Sequence, residues 1–498
     1  MINKKRCSLS SKLKLAIALG FLFVALNALA QDTIWVRRLD MGSDEVAGGI
    51  ACRGNDIAVA GYQYRTTSDW LVVKCNQQGE TLWTRTFDTG LDDFASDASF
   101  DYEHNVFVTG YTFSYKKENS FNRRCGYFHI NLNSLSKFTD TEDQTLNAIT
   151  IKYDSTGEIK WQRIEKNKLG IGIATDSLGN CYVSGVHFTG YDFDFWLAKY
   201  DSSGETLWTR TLNFSLLDVG YRIAVDLNGN IIMAGYSGDG YINDFLTIKF
   251  TPNGDTLWTR RFDLNSDDEG IGITNDQENN VIVAGYTGDT TNYDYLVLKY
   301  DSSGNVIWSR IFDQNKHDQA FGIACDAKDN IFVTGMSGYS PYYDYLTVKY
   351  DSDGNALWTA TYDYGNDDQG SDVTCDANDN PIVTGASMGF SYDFLTIKYQ
   401  GEVGIEEPRF TQKALRNSPV LPHSSISGSD FIFYAPSSGY FHLELYDCNG
   451  IQQKKVYHGY LSQGTHRFLL KDLVSGVHFI KVDFPEGNST VQKLVLIK

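Results

Sequence analysis

Between residues 33 and 399 the chain alternates short runs of β-branched and aromatic residues with clusters of Asp, Asn, Ser and Gly, and the alternation repeats. One unit shows the pattern. Residues 272–274 open a first run, A; 281–286 form B, 294–300 form C and 305–310 form D. Each run is of strand length and bounded by turn residues, and no stretch sustains a helical period. Runs B and C are apolar almost throughout, as expected of strands covered on both faces. A passes to B through Asp-x-x-Gly/Asp/Asn-Asn, as at 176–180 and 326–330, and C passes to D through Asp-Ser-Ser/Asp-Gly, as at 301–304. An Asp that bonds nearby backbone, followed by a Gly that accepts positive φ, makes a tight hairpin.

Trp35, Trp83, Trp161, Trp208, Trp258, Trp308 and Trp358 mark the period in matching contexts, spaced 48, 78, 47, 50, 50 and 50 residues apart. The long spacing holds an insertion between Ser114 and Gln144. Four antiparallel strands about every fifty residues, seven times over, predict an all-β, seven-bladed β-propeller. Packing each unit between two neighbours buries both of its apolar faces. Residues 33–39 read as a D run with no A, B or C before it, and the repeats end at Tyr399 with A, B and C but no D. The N-terminal run should therefore complete the last unit and close the ring.

The units resemble the bacterial SBBP β-propeller repeat family. The resemblance rests on Gly-Ile-Ala-x-Asp-x-x-Gly/Asp-Asn, then Val-x-Gly-Tyr, then Tyr-Asp-Tyr/Phe-Leu-x-x-Lys-Tyr-Asp-Ser-x-Gly-Asn, then Trp, and it covers nearly all of 33–399. Unit two departs from it through the insertion and Asn147, where other units carry Asp. The resemblance implies a fold and no reaction.

Residues 401–416 break the repeat as a linker, and 417–498 predict a small immunoglobulin-like β-sandwich. The order Tyr446-Asp447-x-x-Gly450, Gly464-x-His466, Leu473-x-Ser475-Gly476-Val477-x-Phe479 and a terminal Lys493-Leu494-Val495-Leu496-x-Lys498 resembles the C-terminal (Por) sorting domain of type IX secretion cargo. That likeness implies the secretion machinery as a partner and delivery to the surface or exterior of a Gram-negative bacterium. The other end agrees. Lys4, Lys5, Arg6, Lys12 and Lys14 precede an apolar run, 15–26, and the Ala28-Leu29-Ala30 site, which together read as a signal peptide over 1–30. No further apolar stretch predicts a span in the mature chain.

The chain carries 43 Lys and Arg against 62 Asp and Glu. Losing the five basic residues of the leader takes the net charge from −19 to −24, with 31–400 at −25 and 401–498 close to neutral. Such a surface repels nucleic acid and anionic membranes. Seven cysteines remain without CxxC, which argues against a disulfide scaffold.

The D–A and B–C loops share one rim, vary most and are rich in Asp and Tyr, so they are the expected binding face for a glycan or protein ligand. The candidates are Phe121, Arg123, Arg124, Tyr127, Tyr241, Tyr339, Tyr342 and Tyr343. The seven repeat tryptophans are assigned a structural role. An acid recurs in the D–A loops at Glu45, Asp93, Asp218, Asp268, Asp318 and Asp368, with Lys168 the exception. Calcium is open there, but identical placement points to a repeated backbone bond. Cys52, Cys325 and Cys375 share one A-run position and read as packed free thiols. The C-run pairs such as Asp294 and Lys299 sit five residues apart, on opposite strand faces, and are expected to bond to adjacent units.

No catalytic constellation, metal site or cofactor motif is predicted: there is no Gly-x-Ser-x-Gly, HExxH or P-loop. No non-repeating His, Arg or acid cluster for the axis stands out. The reading is a secreted or cell-surface binding or scaffold module. The alternatives are a funnel enzyme, carbohydrate-active or quinone-dependent, and a purely structural surface protein.

Overall fold

The computed structural model describes residues 33–114, 145–239, 242–289, 292–339, 342–401, 425–427, 430–435, 437–447, 452–469, 476–483 and 489–496. The expected leader, the Ser114–Gln144 insertion beyond Ser114, and most of the linker lie outside them. The chain divides into two compact units, 1–404 and 405–498.

The larger one is all β. Asp44–Arg53, Asp56–Tyr64, Ser68–Asn76 and Thr81–Phe87 form a four-stranded antiparallel run in chain order, and units two to six repeat it. In the last unit Asp368–Cys375, Pro381–Met388 and Tyr392–Tyr399 take Thr33–Leu39 as their fourth strand, with Val36 opposite Ile397. Each A strand packs on the A strand of the next unit, and the last packs on the first. The sheets stay separate except at Phe193 and Leu217, where one parallel bridge joins units three and four. This cyclic arrangement of radial four-stranded sheets is a β-propeller. Apolar clusters lie between neighbouring sheets, such as Ile282, Tyr295 and Trp308 against Val333, Leu346 and Tyr350.

The repeated residues tie unit to unit. The Trp35, Trp83, Trp161, Trp208, Trp258 and Trp308 indole N–H groups each donate to a carbonyl in the next unit's C–D turn, at 2.9–3.3 Å. Two residues on, Arg37, Arg85, Arg210, Arg260 and Arg310 bond other carbonyls of the same turns. The last unit has no C–D turn, because its D strand comes from the other end of the chain. Trp358 accordingly has no partner for its buried Nε1, and Ala360 stands where the others carry Arg.

The C-strand lysines behave differently from the expectation of bonds to adjacent units alone. Lys74, Lys152, Lys249, Lys299 and Lys398 pair with the A–B turn aspartate of their own unit, as in Lys299–Asp276 at 2.9 Å. They also reach the next unit: Lys299 donates to Ser352 O at 3.1 Å. Strand spacing showed only that Asp294 cannot be the partner; the hairpin supplies Asp276.

In the smaller unit, Ser425–Ser427, Asp430–Ala435 and Gly464–Leu469 form one sheet, and Gln452–Leu461, Gly439–Asp447, Gly476–Asp483 and Ser489–Leu496 form the other. Ala435 and Phe468 from the first share a cluster with Phe441, Leu443, Leu445, Ile480 and Val482 from the second.

Candidate functional site

The loop acids hold loops. Glu45, Asp93, Asp218, Asp268, Asp318 and Asp368 are fully buried, and each accepts the backbone N–H four residues earlier, at 2.6–3.2 Å. Lys168 is the exception because its loop is gone: only Asn167 separates the Ile159–Lys166 strand from Lys168–Thr175. Two sets of carboxylates come within 4.8 Å, Asp40 with Glu45 and Asp393, and Asp294 with Asp313 and Asp318. Arg38 bonds Asp393 in the first. In the second, burial and then Asp313 push Asp294 up to about 6. Cys52, Cys325 and Cys375 are half-buried free thiols, and burial pushes all three up.

Of the rim candidates, Tyr339 and Tyr342 are exposed, and Tyr339 donates to Asn315 O at 2.6 Å. Tyr343 is buried in an aromatic cluster beside His317. Phe121, Arg123, Arg124, Tyr127 and Tyr241 lie outside the described residues.

The unexpected feature is at the axis. The A strands share a register that starts at Asp44, Asp92, Asn167, Leu217, Asp267, His317 and Asp367. At the sixth position four units carry glycine and three carry Asp97, Arg222 and Asp372. These three come from different units and meet. Arg222 pairs with Asp97 and, at 3.4 Å, with Asp372, and donates to Gly48 O at 2.8 Å. Asp97 and Asp372 in turn accept the Ile173 and Ile50 amides. The glycines make the space: a Cβ at Gly49 or Gly322 would come within 2.5 Å of Asp97 or Asp372. Burial disfavours the Arg222 charge, but Asp372 and Asp97 outweigh it and hold the group above its ordinary pKa. Burial pushes Asp372 up, with Arg222 opposing.

Beside this ion cluster is a small axial cavity of about 30 Å³, room for a water or two. Its wall is the fifth A-strand position: Ser96, Ile171, Tyr221, Ile271, Phe321 and Ser371. From Tyr221 a polar network runs outward. Tyr221 is hydrogen-bonded to Tyr236. Glu269, buried nearby, accepts from Tyr286 at 2.6 Å and from the Asn243 amide of the preceding unit at 3.1 Å. Asp267, two residues away on the same strand face, accepts from Tyr293 at 3.0 Å and from Asn243 N at 3.1 Å. The Tyr293 ring lies edge-on to Tyr286 and to half-buried His317, with centroids 4.8 and 4.9 Å apart. Burial, then Asp267, push Glu269 up to about 8 against the Tyr286 and Asn243 bonds. Burial lowers His317. Buried titratable groups with displaced pKa values and specific partners, gathered near the centre of a ring, are a feature that binding and catalytic sites share.

The sequence expectation of no axial cluster is therefore corrected. Its members are scattered over units one, two, four and seven, and only ring closure brings them together. The available signal was register: Arg222, Asp97 and Asp372 replace glycine, and Glu269 replaces Val, Phe, Leu or Gln, at otherwise uniform positions.

Among known proteins, no family model matches the chain, and no curated protein matches it. Solved propellers resemble it at 8–10% identity. The polysaccharide lyase Uly1 superposes with a TM-score of 0.46, covering 74% of this chain and 100% of its own, at 8% identity. The Dos1 propeller gives 0.42 over 74% and 94% at 10%. The propeller domain of the Trilobed protease from Pyrococcus furiosus gives 0.40 over 74% and 95% at 8%. These are likenesses of fold. No helix among the described residues is long and apolar enough to cross a membrane.

Proposed function

We propose that this chain is a seven-bladed binding propeller, exported by a type IX-like route to the surface or exterior of a Gram-negative bacterium, that takes its ligand at the axial cavity and the polar network beside it. The sorting assignment rests on the order of the C-terminal sequence motifs and on the N-terminal signal pattern. The binding assignment rests on one observation. The inner strands carry Asp97, Arg222 and Asp372 where the other four units carry glycine, and Glu269 where the others carry Val, Phe, Leu or Gln. A frame needs no such departures, whereas a site is built from them.

The test is a thermal-shift screen of the full chain against glycans, peptides and calcium chloride. A ligand of the folded state raises the melting temperature with its concentration, and Glu269→Ala should abolish that rise. No response across the panel overturns the binding reading. Protein recovered only from cytoplasm or periplasm overturns the export reading.

Glu269 favours a second reading, a funnel enzyme. A buried carboxyl that burial pushes well above the usual carboxylate range, beside phenols, is a proton-transfer group in form. An enzyme predicts turnover of the bound ligand that Glu269→Gln abolishes while binding persists.

A further inference from the structure

We infer that units five and six are joined at the variable rim by a calcium ion held between Asp294, Asp313 and Asp318. The site shares no residue with the axial one, so its failure would leave the binding reading above untouched.

Three observations carry it. The first is geometry. One carboxylate oxygen from each of the three lies within 4.8 Å of the other two, and oxygens held at about 2.3–2.6 Å around one calcium ion are at most about 5 Å apart. Asp294 stands in the third strand of unit five, Asp313 just after its fourth, and Asp318 in the first strand of unit six. An ion among them ties two sheets together. The second is an orphaned oxygen. Asp318 is fully buried; its Oδ2 accepts the Gln314 N–H at 2.7 Å, and its Oδ1 has no partner. Ser337, directly across the strand pair, donates instead to Gln314 Oε1 at 3.2 Å. A buried carboxylate oxygen with no donor is costly, and a cation facing it removes that cost. Among the described residues no Lys or Arg forms an ion pair with any of the three, Lys316 of the same loop included. The third is the repeat itself. The same three positions carry acids at two other interfaces, and there the chain supplies its own cation. Arg38 and Arg261, each three residues beyond the repeat tryptophan, pair with Asp393 and Asp244, the equivalents of Asp294. Between units three and four, Asn213 replaces Asp313 and donates to Asp194 at 2.8 Å. Unit five carries exposed Ile311 at the arginine position, opposite Leu296 as Arg261 is opposite Leu246. Thr86 and Thr361 also replace the arginine, but the acids there do not gather within 4.8 Å.

The donor set selects the ion. Three carboxylates are hard oxygen ligands, and calcium accepts roughly six to eight oxygens in a flexible shell that water completes. Transition metals favour imidazole and thiolate, and neither belongs to the set. The ion would also fix the loop 313–316 beside exposed Tyr339, whose hydroxyl donates to Asn315 O at 2.6 Å. Calcium therefore orders the rim at this interface as well as holding two units together.

The experiment titrates the full chain, stripped with EGTA, calorimetrically with calcium chloride, and in parallel with magnesium chloride and with sodium chloride of equal ionic strength. The expected result is saturable calcium binding with a dissociation constant on the order of 10⁻⁴ to 10⁻³ M, and magnesium weaker by about tenfold or more. Asp313→Asn, at an exposed position, should weaken the site by about tenfold or more, since affinity follows the charge of the ligands. Ile311→Arg, also exposed, should abolish the site and melt higher than wild type in EGTA, because its guanidinium takes the place of the ion. The same number of calcium ions bound by wild type, Asp313→Asn and Ile311→Arg overturns the inference. So does the absence of saturable calcium binding, or a signal that sodium chloride reproduces. Magnesium bound as tightly as calcium overturns the choice of ion.

Discussion

The outer frame and the axis of this propeller solve different problems with the same residue types. In the frame, Lys299 meets Asp276 and Trp308 meets Ser352 in a constellation that recurs from unit to unit. At the axis, Arg222 meets Asp97 and Asp372 once. Repetition marks what every interface between sheets requires. Singular residues mark what only the centre requires, and a static frame does not explain them.

The comparison is broken hardest by Arg222→Met, which leaves two carboxylates facing each other without their cation. Removing one partner of a buried pair costs about 3–5 kcal/mol, measurable by denaturant unfolding. Adding Asp97→Asn and Asp372→Asn should recover most of that loss, since an ion cluster is replaceable when removed whole.

Lys299→Met should cost about as much or slightly less, because Asp276 keeps its Asn280 bonds. Its pH signature differs. Burial opposes ionisation of Asp101, Asp276 and Asp376, but their asparagine and lysine partners outweigh it and lower all three. Depressed acids contribute stability above the ordinary carboxylate range and lose it as pH falls through their folded pKa. Lys299→Met should therefore flatten the acid limb of the stability curve.

Glu269 acts with the opposite sign. Its folded pKa is raised, so the folded state holds the extra proton between about 4.5 and about 8, and stability falls as pH rises through that window. Glu269→Gln should flatten that alkaline limb and leave the acid limb alone, as read from melting temperatures across pH.

The seam gives a smaller, sharper contrast. Trp308→Phe removes an indole hydrogen bond to the next turn, while Trp358→Phe removes none. The first should cost about 1 kcal/mol more than the second. Tyr342→Ala, on an exposed rim, should change stability by less than about 0.5 kcal/mol.

Much of this was legible along the chain. The tryptophan period, the Asp and Gly turns and the incomplete first and last units specified the hairpins and the closing strand, because these depend on residues within about fifty positions or on a run visibly lacking its partners. The buried loop acids were legible for the same reason: Asp268 bonds Leu264, four residues away. The Lys299–Asp276 pair was half legible, since strand periodicity excluded Asp294 but could not say how the hairpin folds back. The axial site was not legible as a site. Gly48, Asp97, Arg222 and Asp372 span more than three hundred residues and belong to no common motif, and each alone is an ordinary residue in an inner strand. They became neighbours only when the A strands were placed around one axis, where glycine at the same register position leaves room for the charges: a Cβ at Gly49 or Gly322 would crowd Asp97 or Asp372.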